Sequence, residues 1–361
     1  MSTSHLPLFQ RFALALAALA VLTACSSGAT VAPAATTAAA SIRAAASTTA
    51  APATTAATAA PSGTAANLRH IRLPMGFTPS VQFAPFYVAV DKGYFAAEGL
   101  EIDFDYSFET NGVALVGAGQ LPFAVVSGEQ VLLARAQSLP VVYVMDWFQK
   151  FPVAIIAKAG SGINTPADLR GKRIGTPELA GANFVGLRAL LAKVGIPDSA
   201  VTVSNIGFNQ AAALQAGQVD AAVVYANNEP IRLAAQGQQL VSINISDYVS
   251  LAANGILTNE DTVAKDPALI RAFLRAFAKG LSDSIADPGA AYTISKKYVT
   301  NLADDAVEQK VLAATIEMWK APHLGLSDPA AWTTMQQTLL DSKLLTQAQD
   351  LSKTYTNEFV P

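Results

Sequence analysis

The sequence predicts an α/β fold with two lobes, and three observations support this prediction. From about residue 67 onward, short apolar strands alternate with amphipathic helical segments, which is typical of sheets that contain parallel strands. The stretch from Phe83 to Leu100 has apolar residues at helical spacing, stops at Gly99 and leads into the alternating strand LEIDFDY. The chain has 361 residues, 51% of them hydrophobic and 14% charged, which is enough to bury the cores of two lobes.

The charge and the reactive residues exclude several classes of function. The formal net charge is −3, so the chain lacks the basic character of nucleic-acid-binding proteins. Cys25 is the only cysteine, and the three histidines (His5, His70 and His323) are far apart in the sequence. We therefore expect no metal site, no cofactor and no nucleic-acid partner.

The first 24 residues have the features of a secretory signal peptide. Arg11 precedes the apolar run FALALAALAVLTA, which is too short to span a membrane. The run ends in Leu-Thr-Ala followed by Cys25, a pattern that resembles a bacterial lipobox. That resemblance implies cleavage before Cys25, lipidation of its thiol and a protein anchored to the outer face of the cell membrane.

Residues 25–66 form a predicted tether after the signal peptide. They consist almost wholly of Ala, Thr, Ser, Pro and Gly, and they lack the large apolar side chains that offset the entropy of ordering a chain. We expect this segment to be disordered and to hold a globular part away from the membrane. Whether its Thr and Ser residues carry sugars stays open.

Candidate ligand-binding residues follow the predicted strands, because ligands of open α/β sheets collect beyond the carboxyl ends of strands. In the first lobe, two of these loops combine aromatic and polar side chains, and a third offers a hydroxyl that could equally cap a helix. In the second lobe, a helix start and the end of a strand offer carboxylates and amides. The candidates are Phe77, Thr78, Gln82, Phe86, Ser127, Asp146, Trp147, Phe148, Glu178, Asn183, Tyr225 and Asn227.

The loop DWFQKFP from Asp146 to Pro152 is unusual because it holds three aromatic residues. Loops are normally hydrated, so clustered aromatic side chains need a partner. Trp147 and Phe148 could stack on a flat ligand, with Tyr225 of the other lobe on its opposite face. Packing between the lobes is the alternative explanation.

Several stretches together resemble one family. The helix and turn FAPFYVAVDKGYFAAEGL, the later SGI and PADLRGKRIG, and GQVDA before a strand resemble ABC-transporter solute-binding proteins. The branch is the one that binds sulfonates, nitrate, thiamine precursors and riboflavin. The resemblance is specific up to the strand GILTNED and becomes general in the helices after it.

This resemblance implies the two-lobed type II periplasmic binding protein fold, with mostly parallel sheets and a hinge. The first lobe would comprise residues 67–157 and 246–361, and the second lobe residues 158–245. It further implies a monomer, not an enzyme, that binds a small molecule and delivers it to an ABC permease and its ATPase. A ligand-sensing lipoprotein would have the same sequence features.

The ligand class is predicted from the residue types of the candidate loops. Anion receptors usually supply Arg or Lys, whereas these loops offer aromatic residues, amides and acids, with Lys150 the only basic residue. This favours a neutral or weakly basic heteroaromatic compound, first riboflavin and next a thiamine pyrimidine precursor. Nitrate, taurine or an alkylsulfonate is the alternative. A thiamine-pyrimidine-synthase-like enzyme is disfavoured, because that enzyme uses a histidine and a cysteine-rich iron site without counterparts here.

Overall fold

The structure is a computed structural model that describes residues 68–300, 302 and 304–361. The predicted signal peptide, the lipidated Cys25 and the tether lie outside the described residues. The described residues belong to one compact unit.

Strands and helices alternate as the sequence predicts. The ten strands described are β1 Arg69–Gly76, β2 Leu100–Phe108, β3 Ala124–Ser127, β4 Val141–Asp146, β5 Val153–Lys158, β6 Arg173–Thr176, β7 Thr202–Asn205, β8 Ala221–Tyr225, β9 Leu240–Asn244 and β10 Asn254–Asn259. The thirteen α-helices described are α1 Ala84–Asp91, α2 Tyr94–Ala97, α3 Glu109–Gly117, α4 Gly128–Ala136, α5 Gly181–Lys193, α6 Gln210–Gln215, α7 Glu229–Ala235, α8 Glu260–Lys265, α9 Pro267–Ala286, α10 Pro288–Ser295, α11 Asp305–Trp319, α12 Pro329–Asp341 and α13 Leu351–Thr354.

The strands form three sheets that divide between two lobes. In the first lobe, β1 pairs with β2 in parallel, and β3 and β4 flank β10 in an antiparallel sheet. The second lobe contains the five-stranded sheet β7-β6-β8-β5-β9, in which β6 is parallel to both neighbours and β5 is antiparallel to both of its own. The predicted α/β two-lobed fold is confirmed, but its sheets are less parallel than expected because β5 and β10 run against their neighbours.

The chain crosses between the lobes slightly earlier than predicted. The sequence analysis assigned residues 153–157 to the first lobe, but β5 pairs with β8 and β9 inside the second sheet. The first crossing is therefore the aromatic loop of residues 147–152, and the return crossing is the segment of residues 245–253 before β10. Both crossings lie next to the cleft described below.

The predicted unit around α1 forms the centre of the first lobe. Pro85 occupies the first turn of α1, and Gly99 has φ of 76°, a left-handed conformation that ends the helical segment before β2. The long amphipathic helix α9 packs directly on α1, with Phe86 and Phe277 in ring contact at 4.4 Å between centroids. Gly280 permits this close approach, since a methyl group there would collide with the carbonyl oxygen of Pro85.

None of the helices in the described ranges is long and apolar enough to cross a membrane.

Candidate ligand-binding cleft

A cleft that is partly open to solvent lies between the two lobes. Its walls come from the carboxyl ends of strands in both sheets and from the helix starts that follow them, as expected for an α/β fold. The lining residues are Met75, Gly76, Phe77, Gln82, Phe83, Glu109, Val125, Trp147, Phe148, Pro177, Glu178, Ala180, Gly181, Ala182, Asn183, Phe208, Gln210, Tyr225, Asn228, Glu229 and Asn254.

The structure brings seven of the predicted site residues together in this cleft. From the first lobe and the crossing loop come Phe77, Gln82, Trp147 and Phe148, and from the second lobe come Glu178, Asn183 and Tyr225. The residues selected by the strand-end rule thus line one cleft from both lobes, and their role in ligand binding stays a prediction.

Five predicted residues do not line the cleft. Thr78 is exposed on its loop, and Phe86 lies in the core against Phe277. Ser127, Asp146 and Asn227 are held by protein neighbours: Ser127 contacts Glu109 at 2.6 Å, Asp146 accepts from Tyr143 at 2.9 Å, and Asn227 donates to Gln82 at 2.8 Å. Burial raises the pKa of Asp146, so this carboxyl tends toward its neutral form.

The aromatic loop contributes more to packing than the sequence analysis predicted. Trp147 is only 2% exposed, and two rings already stack on it, Phe83 and Trp319, each at 5.8 Å between centroids. Phe148 and Tyr225 meet at 6.4 Å with an interplanar angle of 73°, so they present no parallel faces between which a flat ring could lie. The predicted sandwich of these residues is therefore absent from this arrangement.

Phe208 is a cleft residue that the sequence analysis missed. Its ring meets Phe77 edge to face at 4.8 Å and stacks on Phe108 at 5.2 Å. Phe208 follows β7, so the same strand-end rule that selected Phe77 could have found it. These half-exposed rings, rather than Trp147, offer aromatic surface to a ligand.

Glu109, at the first position of α3, is a second cleft residue that was not among the predicted site residues. Its carboxylate lies in the cleft wall, where it contacts the backbone N–H and the hydroxyl of Ser127. The same hydroxyl contacts Glu129, which is completely buried. Burial and the neighbouring Glu129 carboxyl raise the pKa of Glu109 to about 8, and burial raises the pKa of Glu129 to about 7.

Further acidic residues reach the cleft from the second lobe. Glu178 lies in the loop after β6, and Glu229 begins α7; burial raises the pKa of both carboxyls. No Lys or Arg is among the lining residues. Within the described ranges, no group of His, Cys, Asp and Glu side chains could hold a metal ion.

Polar contacts join the lobes around the cleft. Besides its bond to Gln82, Asn227 donates to Thr315 of α11 at 2.7 Å, and the hydroxyl of Tyr225 donates to Asn254 at 3.1 Å. Arg232 of the second lobe forms an ion pair with the buried Glu308 of the first. The described arrangement therefore has the lobes in contact, with the cleft between them.

Comparison with known proteins assigns the chain to a family. Residues 80–291 match the model described as NMT1/THI5 like, which covers more than half of the chain. The chain belongs to the NMT1/THI5-like family. Among the relatives of this NMT1/THI5-like protein, the riboflavin-binding protein RibY of Chloroflexus aurantiacus is 39% identical over 304 residues, covering 81% of this chain and 87% of RibY.

Two further similarities extend the comparison. A formylaminopyrimidine-binding protein from Halalkalibacterium halodurans is 28% identical over 73% of this NMT1/THI5-like chain and 83% of its own. The alkanesulfonate-binding protein SsuA from Xanthomonas axonopodis pv. citri has the same fold, with a TM-score of 0.65, 18% identity, and coverage of 80% and 98% of the two chains. Pyrimidine phosphate synthases are also among the relatives. The chain thus has the periplasmic binding protein fold, and its relatives include binding proteins as well as synthases.

Proposed function

We propose that this protein is an extracytoplasmic receptor for riboflavin that delivers the vitamin to an ABC permease. The single observation that carries the proposal is the composition of the cleft wall, which is aromatic and acidic and includes no Lys or Arg. The proposal agrees with the 39% identity to RibY. It includes a lipid anchor at Cys25 and a monomeric state, both of which are predictions from the sequence.

The cleft chemistry fits riboflavin in two respects. Its ring system is flat and uncharged, and the half-exposed Phe77 and Phe208 provide aromatic surface on which it can pack. Its ribityl chain carries several hydroxyl groups, which are hydrogen-bond donors for carboxylate oxygens such as those of Glu109 and Glu178. Nitrate and simple alkylsulfonates lack these donors, and they would face carboxyl groups without a compensating cation.

A pyrimidine precursor of thiamine is the second candidate, and the acidic wall favours it specifically. An aminopyrimidine presents an amino group and a weakly basic ring nitrogen, both of which a carboxyl group can recognise. Its single ring has less area than a flavin for burial against Phe77 and Phe208. For this reason we rank it below riboflavin.

Titration of the purified full-length protein tests the proposal. Riboflavin, an aminopyrimidine precursor, nitrate and taurine are added separately, with flavin fluorescence and calorimetry as readouts. We expect riboflavin to bind most tightly and to raise the melting temperature of the protein, since a ligand that binds only the folded state stabilises it. Binding of nitrate or taurine without riboflavin would overturn the proposal, and tighter binding of the pyrimidine would favour the second candidate.

A matched pair of variants connects binding to the cleft. Phe208→Ala removes an aromatic side chain from the cleft wall, whereas Tyr248→Ala removes one that is 40% exposed on the surface and does not line the cleft. Riboflavin binding should weaken in the first variant and remain unchanged in the second. Equal effects of both variants would show that the titration does not report on the cleft.

A further inference from the structure

Two carboxyl groups from different lobes converge at the start of α5. A methyl group placed on Gly181 would lie 3.3 Å from Oε1 of Glu178 and 3.7 Å from Oε2 of Glu109. The two oxygens are therefore separated by no more than the sum of these distances. Gly181 has φ of 72°, a conformation that favours glycine. Because this residue has no side chain, the space stays open to the cleft.

Behind Glu109, a single hydroxyl serves two carboxyl groups. Oγ of Ser127 lies 2.6 Å from Oε1 of Glu109 and also contacts Oε1 of Glu129. A hydroxyl has one proton, so it donates to one of these oxygens and can only accept from the other. Hydrogen bonding is satisfied when one of the two carboxyl groups carries a proton. Oε2 of Glu129, which is buried, has no hydrogen-bond partner.

Among the described residues that line the cleft, no Lys or Arg compensates this group of carboxyls. The other titratable residues that face it are Tyr143, Tyr225 and Glu229, which are neutral or acidic. Arg232, whose charge acts to lower the pKa of Glu229, is paired with Glu308. The group therefore consists of acids that share protons, and the remaining hydrogen bonds of their oxygens must come from the ligand.

We propose that Glu109 and Glu178 bind the hydroxyl or amino donors of the ligand and exclude its phosphorylated form, while Ser127 and Glu129 behind Glu109 share its proton. These four residues are here termed the carboxyl cluster. The inference rests on the proposed function as far as the ligand is concerned. Donors of a sugar-alcohol chain or an amine would complete the hydrogen bonds of the oxygens beside Gly181. A phosphate ester carries about −1.5 to −2 charges at pH 7 and would meet ionising carboxyl groups instead.

The exclusion depends on pH because the cluster holds protons. Burial raises the pKa of Glu109, Glu129 and Glu178, so at pH 6 more of these carboxyls are neutral and a phosphate encounters less repulsion. At pH 8.5 they are more fully ionised. Like charges brought together in a binding site cost several kcal/mol, which corresponds to a discrimination of about a hundredfold or more.

The experiment compares unphosphorylated and phosphorylated ligands in two matched pairs. The pairs are riboflavin with riboflavin 5′-phosphate, and 4-amino-5-hydroxymethyl-2-methylpyrimidine with its phosphate. Each is titrated against the full-length protein at pH 6 and pH 8.5. We expect the unphosphorylated member of the bound pair to be preferred by about a hundredfold at pH 8.5, with a smaller preference at pH 6.

Three variants assign the effect to the cluster. Glu109→Gln and Glu178→Gln keep the side-chain volume and remove the charge, whereas Glu101→Gln removes a charge from an exposed position of β2, away from the cleft lining. The first two should tighten binding of the phosphate ester by tenfold or more at pH 8.5, and the third should leave the ratio unchanged. Glu178 lies on a loop, so its variant keeps the test valid if Glu109→Gln fails to fold.

The outcomes separate this inference from the proposed function. Preference for the unphosphorylated pyrimidine without riboflavin binding supports the cluster and overturns the riboflavin proposal. Riboflavin and its phosphate binding equally at pH 8.5 would retain the proposed function and overturn the cluster. Folded Gln variants with an unchanged ratio would also overturn it, and failure of both pairs to bind would overturn both proposals.

Discussion

The ring of Phe208 in the second lobe meets the ring of Phe77 in the first lobe edge to face, at 4.8 Å between centroids. Phe208 also stacks on Phe108 at 5.2 Å, so one side chain holds two aromatic contacts across the lobes. Phe77 and Phe208 also line the cleft, which means that separation of the lobes would open the cleft and break both contacts at once.

Phe208→Ala should accelerate ligand release more than it slows binding. Each aromatic pair contributes about 0.5–1.5 kcal/mol beyond its burial, so loss of both contacts predicts a dissociation rate that is about tenfold higher. Stopped-flow fluorescence with riboflavin measures both rates. Tyr248→Ala serves as the control, and an unchanged dissociation rate for a folded Phe208→Ala protein would show that these rings do not hold the lobes closed.

Trp147→Ala tests whether this residue packs the lobes or binds the ligand. Because Phe83 and Trp319 stack on Trp147, its removal should lower the free energy of unfolding by about 3–5 kcal/mol. Urea denaturation measures this loss, and Leu179→Ala, at a residue that is 54% exposed, should change the value by less than about 0.5 kcal/mol. A variant of normal stability that no longer binds riboflavin would instead restore the stacking role predicted from the sequence.

Arg232→Ala should destabilise the protein because it leaves the ion-pair partner Glu308 unpaired. The carboxylate of Glu308 is buried, whereas the side chain of Arg232 is 34% exposed, so the variant leaves a buried charge without a cation. Since one partner is partly hydrated, we expect a loss of about 2 kcal/mol, below the range for a fully buried pair. Chemical denaturation provides the measurement.

The control for Arg232 is Lys265→Ala, which removes the exposed pair with Asp261. Such a surface pair contributes at most about 0.5 kcal/mol. Equal losses in the two variants would indicate that the contact between the lobes has no special energetic role.

Glu109→Gln should remove a pH dependence of stability. Burial raises the pKa of Glu109 from 4.5 to about 8, so between these values the folded state retains a proton that the unfolded state has lost. The contribution of Glu109 to the free energy of unfolding is unaffected below pH 4.5 and falls as pH rises to about 8, with a slope of up to about 1.4 kcal/mol per pH unit.

The measurement is the difference in unfolding free energy between wild type and Glu109→Gln from pH 5 to pH 8.5. Taking the difference removes the contributions of titrating groups that do not interact with Glu109. The wild type should lose stability relative to the variant across this range. A constant difference would show that Glu109 does not retain its proton in the folded protein.

Cys25→Ser should release the protein from the membrane. The LTAC pattern predicts a lipidated cysteine at the mature N-terminus, so mass spectrometry of the membrane-extracted wild type should find a chain that begins at an acylated Cys25. The variant should lose the acyl groups while binding riboflavin with the same affinity. An intact segment of residues 1–24 in the mature protein would contradict the prediction.

Several features could be predicted from the sequence because they depend on local patterns. Pro85 and Gly99 mark the start of α1 and the turn before β2, and the alternation in LEIDFDY identifies a strand. The rule that ligands collect at the carboxyl ends of strands placed Gln82 and Glu178 correctly in opposite walls of one cleft. Each of these inferences uses only the backbone preferences or the order of neighbouring residues.

The sequence by itself thus determined the α/β elements, the two-lobed family fold and the region of the cleft, whereas the tertiary structure alone decided which side chains face it. Trp147 turned out to be covered by Phe83 and Trp319, which are 64 and 172 positions away in the chain. Glu109 and Glu178 meet beside Gly181 only because two lobes close on each other. Contacts of this kind depend on how distant segments pack, and no local pattern of residues encodes that geometry.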